Sequence, residues 1–218
     1  MSEPYRTYRG GILSRLGLSD APHEAAGDPE LPAAMHPIEF SQIAAVLETV
    51  APRRVVEWGS GGSTRAFPRR FPSIERWLSI EHNRAWHERV RGKVDDPRVV
   101  LELREPTVAE PEMFDAGGGT TRPEYVAWAQ RCEDEPALLA DYVACAREHF
   151  DTVDVAFVDG RARNHCIATG FALLRSGGML VVHDSQRDIY RDALMRLGPT
   201  PRWLDPWVVG QVCLVRKA

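Results

Sequence analysis

The sequence feature that most constrains the fold is a glycine-rich turn within residues 55–64, which read VVEWGSGGST. An apolar run ends there in an acid, Glu57, and Gly59, Gly61 and Gly62 follow it. Glycines let the backbone bend tightly and approach a ligand closely. Free N–H groups at the start of a following helix can hold an anionic group. The pattern therefore predicts a strand, a turn and a helix, with a small-molecule site at the turn.

Predicted strands and helices alternate along most of the chain. This alternation is typical of an α/β fold with a parallel sheet and right-handed crossovers. Two final strands are joined by a short connection at Asp205, which favours an antiparallel pair. The predicted strands lie at 54–58, 77–81, 99–104, 153–159, 179–183, 202–204 and 208–215, and the helices between them at 64–70, 84–94, 164–175 and 188–197.

The length of 218 residues is typical of one domain. Residues 1–36 are rich in Pro, Gly and Ala, and we expect them to form an N-terminal arm or cap over a domain spanning 37–218. Residues 105–152 are too long for a simple crossover, so we expect an insertion that covers the substrate site, with a surface decoration as the alternative. Apolar positions at 138–150 predict one amphipathic helix in it. Gly177 is the predicted C-cap of helix 164–175.

Composition narrows the classes of partner. The formal net charge of −4 disfavours a dedicated nucleic-acid binder. No apolar run approaches the roughly 18 residues that span a bilayer, and the N-terminus lacks the apolar block of a signal peptide. Four scattered cysteines without a CxxC pair predict reduced thiols and a cytoplasmic protein. The arm and the insertion would suit a homodimer that acts on a small molecule.

Polar residues end four of the predicted parallel strands. Ligands of open parallel sheets bind outside the carboxyl ends of the strands. We therefore expect these side chains to meet at one edge and to form a site. They are Glu57, Glu81 with His82, Asp159, and His183 with Asp184.

On these motifs, residues 40–216 resemble the class I S-adenosylmethionine-dependent methyltransferases. The family pattern at the first strand is an acid, any residue, then Gly-x-Gly-x-Gly, and it stands here as EWGSGGS with Ser63 at the third glycine. VDGR at 158–161 and GGMLVVHD at 177–184 are similar to small-molecule O-methyltransferase-like proteins, which include macrocin-type enzymes. The resemblance implies a Rossmann-like fold with a mostly parallel seven-stranded sheet, the last strand antiparallel, and helices on both faces.

The resemblance also implies a site for S-adenosylmethionine. Glu57 would meet the cofactor amine, directly or through water, unless it is a structural partner of a nearby arginine. Glu81 matches the family acid that accepts the ribose hydroxyls, and a carboxylate suits this because it accepts two hydrogen bonds at once. The implied cofactor-binding residues are Glu57, Gly59, Ser60, Gly61, Gly62, Ser63, Thr64, Glu81 and His82.

The candidate catalytic residues are Asp159, His183, Asp184 and Arg161. In similar metal-dependent O-methyltransferases an acid after strand four and an Asp-Asn pair after strand five bind a divalent ion. Ser185 replaces that Asn here, so the metal ligands stay unknown, although two carboxylates with waters could hold Mg²⁺. Without a metal, His183 is the predicted general base. Arg161 could clamp a carboxylate or phosphate of the substrate, or pair with Asp159 and Asp184 instead.

These features together predict an S-adenosylmethionine-dependent methyltransferase that methylates an oxygen of a small polar or anionic molecule. A catalytically silent, methyltransferase-like cofactor-binding protein with a regulatory or scaffolding role is the alternative. Metal-dependent hydrolytic or hydroxylating chemistry on the same fold is a third possibility. A nicotinamide-dependent enzyme is disfavoured, because its fingerprint needs a small residue where Thr64 stands.

Overall fold

The computed structural model of the chain describes residues 27–28, 31–33, 35–114 and 121–218. Most of the predicted arm therefore lies outside the described residues, as does most of the glycine run that follows Phe114. In the described part of the arm, strand β1 (Gly27–Asp28) pairs antiparallel with β2 (Leu31–Pro32). The division into arm, domain and insertion stays a prediction.

One seven-stranded sheet organises the described part of the chain. Its strands are β3 (Arg54–Trp58), β4 (Arg76–Glu81), β5 (Val99–Leu103), β6 (Val153–Val158), β7 (Leu174–Val182), β8 (Arg202–Trp203) and β9 (Cys213–Arg216). The spatial order is β5-β4-β3-β6-β7-β9-β8. Strand β9 runs antiparallel to β7 and β8, and the remaining neighbours pair in parallel. The predicted sheet is confirmed.

Helices cover both faces of the sheet. They are α1 (Pro37–Val50), α2 (Gly62–Arg70), α3 (Arg84–Arg91), α4 (Pro123–Asp134), α5 (Ala140–Ala144), α6 (Ala146–His149), α7 (Arg163–Leu173) and α8 (Asp188–Met195), with a 3₁₀ turn at Pro136–Leu139. One apolar core lies between the sheet and α1 and α2, and a second lies between the sheet and α4 to α8. Of the described helices, none combines the length and the apolar character needed to cross a membrane.

The sequence of the central strands explains the two cores. Side chains of a strand alternate between the two faces of a sheet. Val55 of β3 accordingly joins the core beneath α1, and Val56 joins the opposite one. All six residues of β6 are buried, as expected for a strand covered on both faces. The strand-end residues therefore stand on a rigid frame.

The insertion differs from its prediction of a single helix at 138–150. That segment forms a 3₁₀ turn followed by the short helices α5 and α6, and an unpredicted helix, α4, precedes it. The apolar residues of the whole segment pack on one core, so their spacing resembles that of one helix, and Cys145 between α5 and α6 keeps right-handed helical dihedral angles. Pro123 at the first turn of α4 was an available start signal.

The predicted end of the helix before β7 is wrong as well. Helix α7 ends at Leu173, β7 begins at the next residue, and Gly177 lies inside that strand with φ of 77°. The Asp154 carboxylate of β6 accepts a bond of 2.5 Å from Arg175 Nε. Leu174 is already extended and pairs with Val153, and β7 rejoins β6 at Met179 after an irregular stretch over 175–178.

Candidate functional site

The glycine turn between β3 and α2 requires glycine at one position and leaves open space at another. Gly59 has φ of 96°, and a Cβ there would lie 2.6 Å from the Cα of Gly160, the residue after Asp159. Gly61 has extended backbone with φ of 174°, and a Cβ there would meet nothing within 4 Å. The turn thus packs closely on the end of β6 on one side and has room for a ligand beside Gly61 on the other.

Glu57 is completely buried beneath this turn. One carboxylate oxygen accepts a hydrogen bond of 2.5 Å from the Ser63 hydroxyl. The other accepts bonds from Thr64 Oγ1 at 2.6 Å, Trp77 Nε1 at 2.9 Å and Ser79 Oγ at 2.6 Å. Burial raises the pKa of Glu57 to about 7, against the opposing effect of these bonds. The carboxylate joins the turn to β4, and its predicted contact with a cofactor amine stays a prediction.

Glu81 ends β4 with a carboxylate that also accepts several hydrogen bonds. One oxygen accepts the backbone N–H of Ser60 at 3.1 Å and its hydroxyl at 2.8 Å. The other accepts the backbone N–H groups of His82 at 2.8 Å and Asn83 at 2.9 Å. Burial alone would raise the pKa of Glu81, but His82 and these donors outweigh it, so the pKa lies below its ordinary value. Glu81 therefore presents a negative charge at the turn.

His82 connects Glu81 to the insertion. Its Nδ1 lies 2.9 Å from Glu81, and its Nε2 lies 3.4 Å from Glu110. Burial acts to lower the pKa of His82, and the two carboxylates outweigh burial and raise it. The ring stacks on Trp128 of α4 at 6.0 Å between centroids and meets the edge of Tyr142 at 5.8 Å. The insertion thus contributes side chains directly to the glycine-turn side of the site.

At the ends of β6 and β7, His183 lies between two carboxylates. Its Nδ1 is 2.9 Å from Asp159 Oδ1, and its Nε2 is 2.8 Å from Glu39 Oε2 of α1. Burial would lower the pKa of His183, but the negative charges and hydrogen bonds of Asp159 and Glu39 raise it to about 10. A charged imidazolium with both nitrogens bonded cannot accept a proton. The role of general base stays a prediction for His183, and this geometry argues against it.

Asp184 follows with a left-handed backbone, φ 56°. Its Oδ2 lies 2.7 Å from Arg187 Nη2 and 3.7 Å from Arg163 Nη1. Burial would raise the pKa of Asp184, but the positive charges of Arg163, His183 and Arg187 outweigh it and lower that pKa to about 2. Asp184 is therefore an ionised partner of neighbouring cations.

The two arginines that follow Asp159 have different environments. Arg163 is buried, and its guanidinium donates to the backbone oxygens of Gly160 at 2.9 Å, His183 at 2.6 Å and Asp159 at 3.0 Å. It also lies 3.2 Å from the Asp159 carboxylate. Arg163 therefore ties the ends of β6 and β7 together and has few donors left for a ligand.

Arg161 is half-buried and lies beside α4. Its Nη2 donates to the Tyr125 hydroxyl, and the guanidinium lies 5.2 Å from the centre of that ring. Among the described residues, no carboxylate lies within the 4.0 Å of an ion pair with Arg161. Of the two arginines, Arg161 is the one placed to bind an anion.

The predicted site residues thus form two neighbouring groups at one edge of the sheet. We call the first the turn group, and it contains Glu57, residues 59–64, Glu81 and His82. We call the second the strand-tip group, and it contains Asp159, Arg161, His183 and Asp184. The close backbone contact between Gly59 and Gly160 joins the two groups.

Three further residues belong to these groups, and the sequence prediction missed them. Glu39 stands three residues after the N-cap His36 and accepts its backbone N–H at 3.0 Å, which is the spacing of a capping box. That spacing was a readable signal for a helix start, although not for the contact with His183. Nothing local marks Glu110 or Tyr125, because they reach the site only through the path of the insertion.

Comparison with known proteins rests on structure, since neither a protein-family model nor a curated protein sequence matches the chain. A proposed O-methyltransferase from Klebsiella pneumoniae superposes with a TM-score of 0.57 at 17% identity, covering 95% of this chain and 94% of that one. The chain has the class I methyltransferase fold.

Two other solved structures agree with this assignment. A proposed caffeoyl-CoA O-methyltransferase from Staphylococcus aureus has a TM-score of 0.57 at 11% identity, over 86% of each chain. A methyltransferase-like protein from Silicibacter pomeroyi has a TM-score of 0.52 at 19% identity, over 86% of this chain and 90% of that one. At these identities the likeness concerns the fold, and at that level it confirms the resemblance drawn from the motifs.

A divalent ion does not fit the position that the metal-dependent members of this methyltransferase fold would use. Asp159 and Asp184 are the two carboxylates available, and the Arg163 guanidinium lies between them at 3.2 and 3.7 Å. His183 and Arg187 add two more positively charged partners. Carboxylates that already balance protein cations have little charge left for Mg²⁺.

A second cluster of metal-ligand types lies away from the site. Ligand atoms of Glu102, Cys145 and His149 all lie within 4.8 Å of one another. However, Arg104 pairs with Glu102 at 3.0 Å, and Arg76 lies 3.0 Å from His149 Nδ1. These guanidinium groups already pair with the carboxylate and the imidazole, so the cluster is a network of polar side chains and not a metal site.

Proposed function

We propose that the protein is an S-adenosylmethionine-dependent methyltransferase that methylates an oxygen of a small polar or anionic molecule. The observation that carries the proposal is the turn group, in which open space beside Gly61 adjoins the negatively charged Glu81. This group stands at the carboxyl edge of β3 and β4, where open α/β sheets bind ligands. Neighbouring solved structures described as O-methyltransferases support the same reading.

The turn group suits the cofactor in three respects. The start of α2 at Gly62 presents backbone N–H groups to an anionic end of the ligand. Glu81 can accept ribose hydroxyls, and the Ser60 hydroxyl, now 2.8 Å from it, occupies one of the positions that they would take. His82 and Trp128 of the insertion provide flat ring surfaces beside Glu81. S-adenosylmethionine, when bound, would supply the methyl group, which its sulfonium sulfur releases to the acceptor oxygen.

The strand-tip group would hold the acceptor. Oδ1 of Asp159 faces His183 and Arg163, and the side chain stays about one-fifth exposed, so Oδ2 can orient an acceptor. Arg161 would bind an anionic group, and α4 would keep water from the reacting atoms. Correct positioning of two reactants can supply much of the rate enhancement of such a transfer.

The proposal also covers the cellular location and the partners of the protein. All four cysteines are buried free thiols, which supports a cytoplasmic location. We further propose a small-molecule acceptor, a homodimer, and neither a nucleic acid nor a membrane as partner.

One observation favours the catalytically silent alternative. The carboxylates of Glu57 and Glu81 are both bonded by protein donors, and Ser63, which replaces the third family glycine, is one of those donors. A turn that satisfies its own polar groups could bind a ligand without taking part in transfer. Cofactor binding without transfer to any acceptor would support this alternative.

The test of the proposed function is calorimetric titration with S-adenosylmethionine and S-adenosylhomocysteine, with NAD as a negative control. We expect binding of the first two and none of NAD. Glu81→Gln should weaken binding by about tenfold or more, because a charged hydrogen-bond acceptor is lost. Ser60→Ala should keep or improve affinity, since it removes the competing hydroxyl.

The matched control is Glu75→Gln, which alters an exposed carboxylate paired with Arg53 far from the turn. It should leave the affinity for both ligands unchanged. Absence of binding to both S-adenosyl compounds, or binding of NAD alone, would refute the proposed function. If the wild type and a folded Glu81→Gln variant bound S-adenosylmethionine with equal affinity, the cofactor site would not be at the turn group.

A further inference from the structure

In the strand-tip group, His183 and Asp184 are already held by ionic partners. His183 has a carboxylate on each ring nitrogen, Asp159 at 2.9 Å and Glu39 at 2.8 Å, so neither nitrogen offers a lone pair. Asp184 is held by Arg187 at 2.7 Å, with Arg163 at 3.7 Å. Both groups already have ionic partners, and neither can take a proton from an acceptor hydroxyl.

Asp159 is the remaining carboxylate of this group. Its Oδ1 lies 2.9 Å from His183 and 3.2 Å from Arg163. The carboxylate is a hydrogen-bond acceptor, so Asp159 can position a substrate beside Arg161.

Titratable side chains of the neighbouring turn group are engaged as well. Glu81 accepts bonds from Ser60 and from the backbone beyond it. Glu110 pairs with His82 and accepts a bond of 2.7 Å from Asn83 Nδ2. Glu57 lies buried beneath the turn, and its carboxylate accepts hydrogen bonds from four side chains. The titratable side chains of the turn group therefore all have protein partners.

Arg161 offers the opposite capability. It is a half-buried cation whose hydrogen-bonding partner among the described side chains is the neutral Tyr125 hydroxyl. A guanidinium prefers an anionic oxygen pair, to which it can donate two parallel hydrogen bonds. Its position two residues after Asp159 places this anion site next to the group that would orient the acceptor.

We propose that the acceptor is a small-molecule carboxylate, which is methylated on oxygen to give a methyl ester. This inference rests on the proposed function and narrows its substrate class. A carboxylate is already ionised at neutral pH and needs no base. Its oxygen lone pair forms the new C–O bond, the C–S bond breaks, and the electron pair passes to sulfur to give the neutral thioether. No proton is transferred.

The experiment uses the full chain with S-adenosylmethionine tritiated on the methyl group. The acceptors are matched pairs, benzoate with benzyl alcohol and phenylacetate with 2-phenylethanol, together with salicylate, citrate and malate, which carry both a carboxylate and a hydroxyl. Methyl esters release volatile tritiated methanol in mild alkali, whereas methyl ethers are stable. We expect base-labile product from acids alone, unchanged by a metal chelator.

Arg161→Gln tests the anion site. We expect the KM for the acid to rise about tenfold or more, with the affinity for S-adenosylmethionine unchanged. Arg131→Gln is the control, because Arg131 pairs with Glu135 on the exposed side of α4. It should change neither constant.

The outcomes separate this inference from the proposed function. Base-stable product, or no transfer to any acid while S-adenosylmethionine binds, would overturn the carboxylate proposal alone. A folded Arg161→Gln variant with an unchanged KM would also overturn it. Failure to bind S-adenosylmethionine would refute the proposed function itself.

Discussion

Glu57 and Glu81 lie near the ends of the neighbouring strands β3 and β4, yet their carboxylates have different environments. Glu57 receives only neutral donors, and burial raises its pKa to about 7. Glu81 lies against His82, and its pKa falls below the ordinary value. At neutral pH Glu81 is therefore more fully ionised than Glu57. Of the two, Glu81 is better suited to accept hydroxyls of a ligand, and Glu57 is better suited to hold the turn.

His183 provides a prediction at the same scale. Its pKa of about 10 in the folded protein lies above the ordinary value of 6.5. Its ion pairs therefore contribute fully below pH 6.5, and the contribution is lost as the pH rises through 10. We expect the free energy of unfolding to fall by on the order of 4 kcal/mol across this window, measured by urea denaturation. His183→Gln should lack this fall, and the control His165→Gln should retain it. Parallel pH curves for wild type and His183→Gln would contradict the assignment.

The turn between β3 and α2 separates two roles of glycine, and a matched pair of variants tests them. Gly59→Ala should lower the free energy of unfolding by about 2 kcal/mol or more, because φ is 96° and a Cβ would lie 2.6 Å from the Gly160 backbone. Gly61→Ala should change stability by less than about 1 kcal/mol, since a Cβ there meets nothing within 4 Å. It should instead weaken S-adenosylmethionine binding by filling the ligand space. Similar losses of stability in both variants would refute this division.

Elements were predictable from sequence where local pattern and tertiary packing agree. The alternating apolar strands and their polar ends gave the strands that carry the site. The prediction failed where a distant contact decides the backbone. The pairing of Leu174 with Val153 of β6 cannot be read from the sequence, so the start of β7 was predicted as the end of a helix. Periodicity likewise could not separate the 3₁₀ turn from α5 and α6, since residues of all three pack on one core.

In the whole molecule, the strand-tip group is tied to the first helix. Glu39 of α1 contacts His183 across 144 residues of sequence, and it also accepts the backbone N–H of Gly210 at 2.6 Å. His183 also pairs with Asp159, and Asp159 pairs in turn with Arg163. The sequence predicted which polar residues stand at the strand ends. It could not show which charged side chains pair with one another, because the partners are far apart in the sequence. This buried ion chain gives His183, Asp159 and Asp184 protein partners that the sequence did not reveal.

The coupling between Glu39 and His183 gives the prediction that spans the molecule. Glu39→Gln should lower the free energy of unfolding by about 3 kcal/mol, because it leaves a buried imidazolium with one negative partner. His183→Gln should cost a similar amount by stranding the Glu39 carboxylate. In the double variant two neutral amides can bond each other, so its loss should be smaller than the sum by about 1–3 kcal/mol. Urea denaturation of the four proteins measures this coupling, and Glu48→Gln on the exposed face of α1 is the control. Additive losses would mean that α1 and the strand-tip group are held by separate contacts.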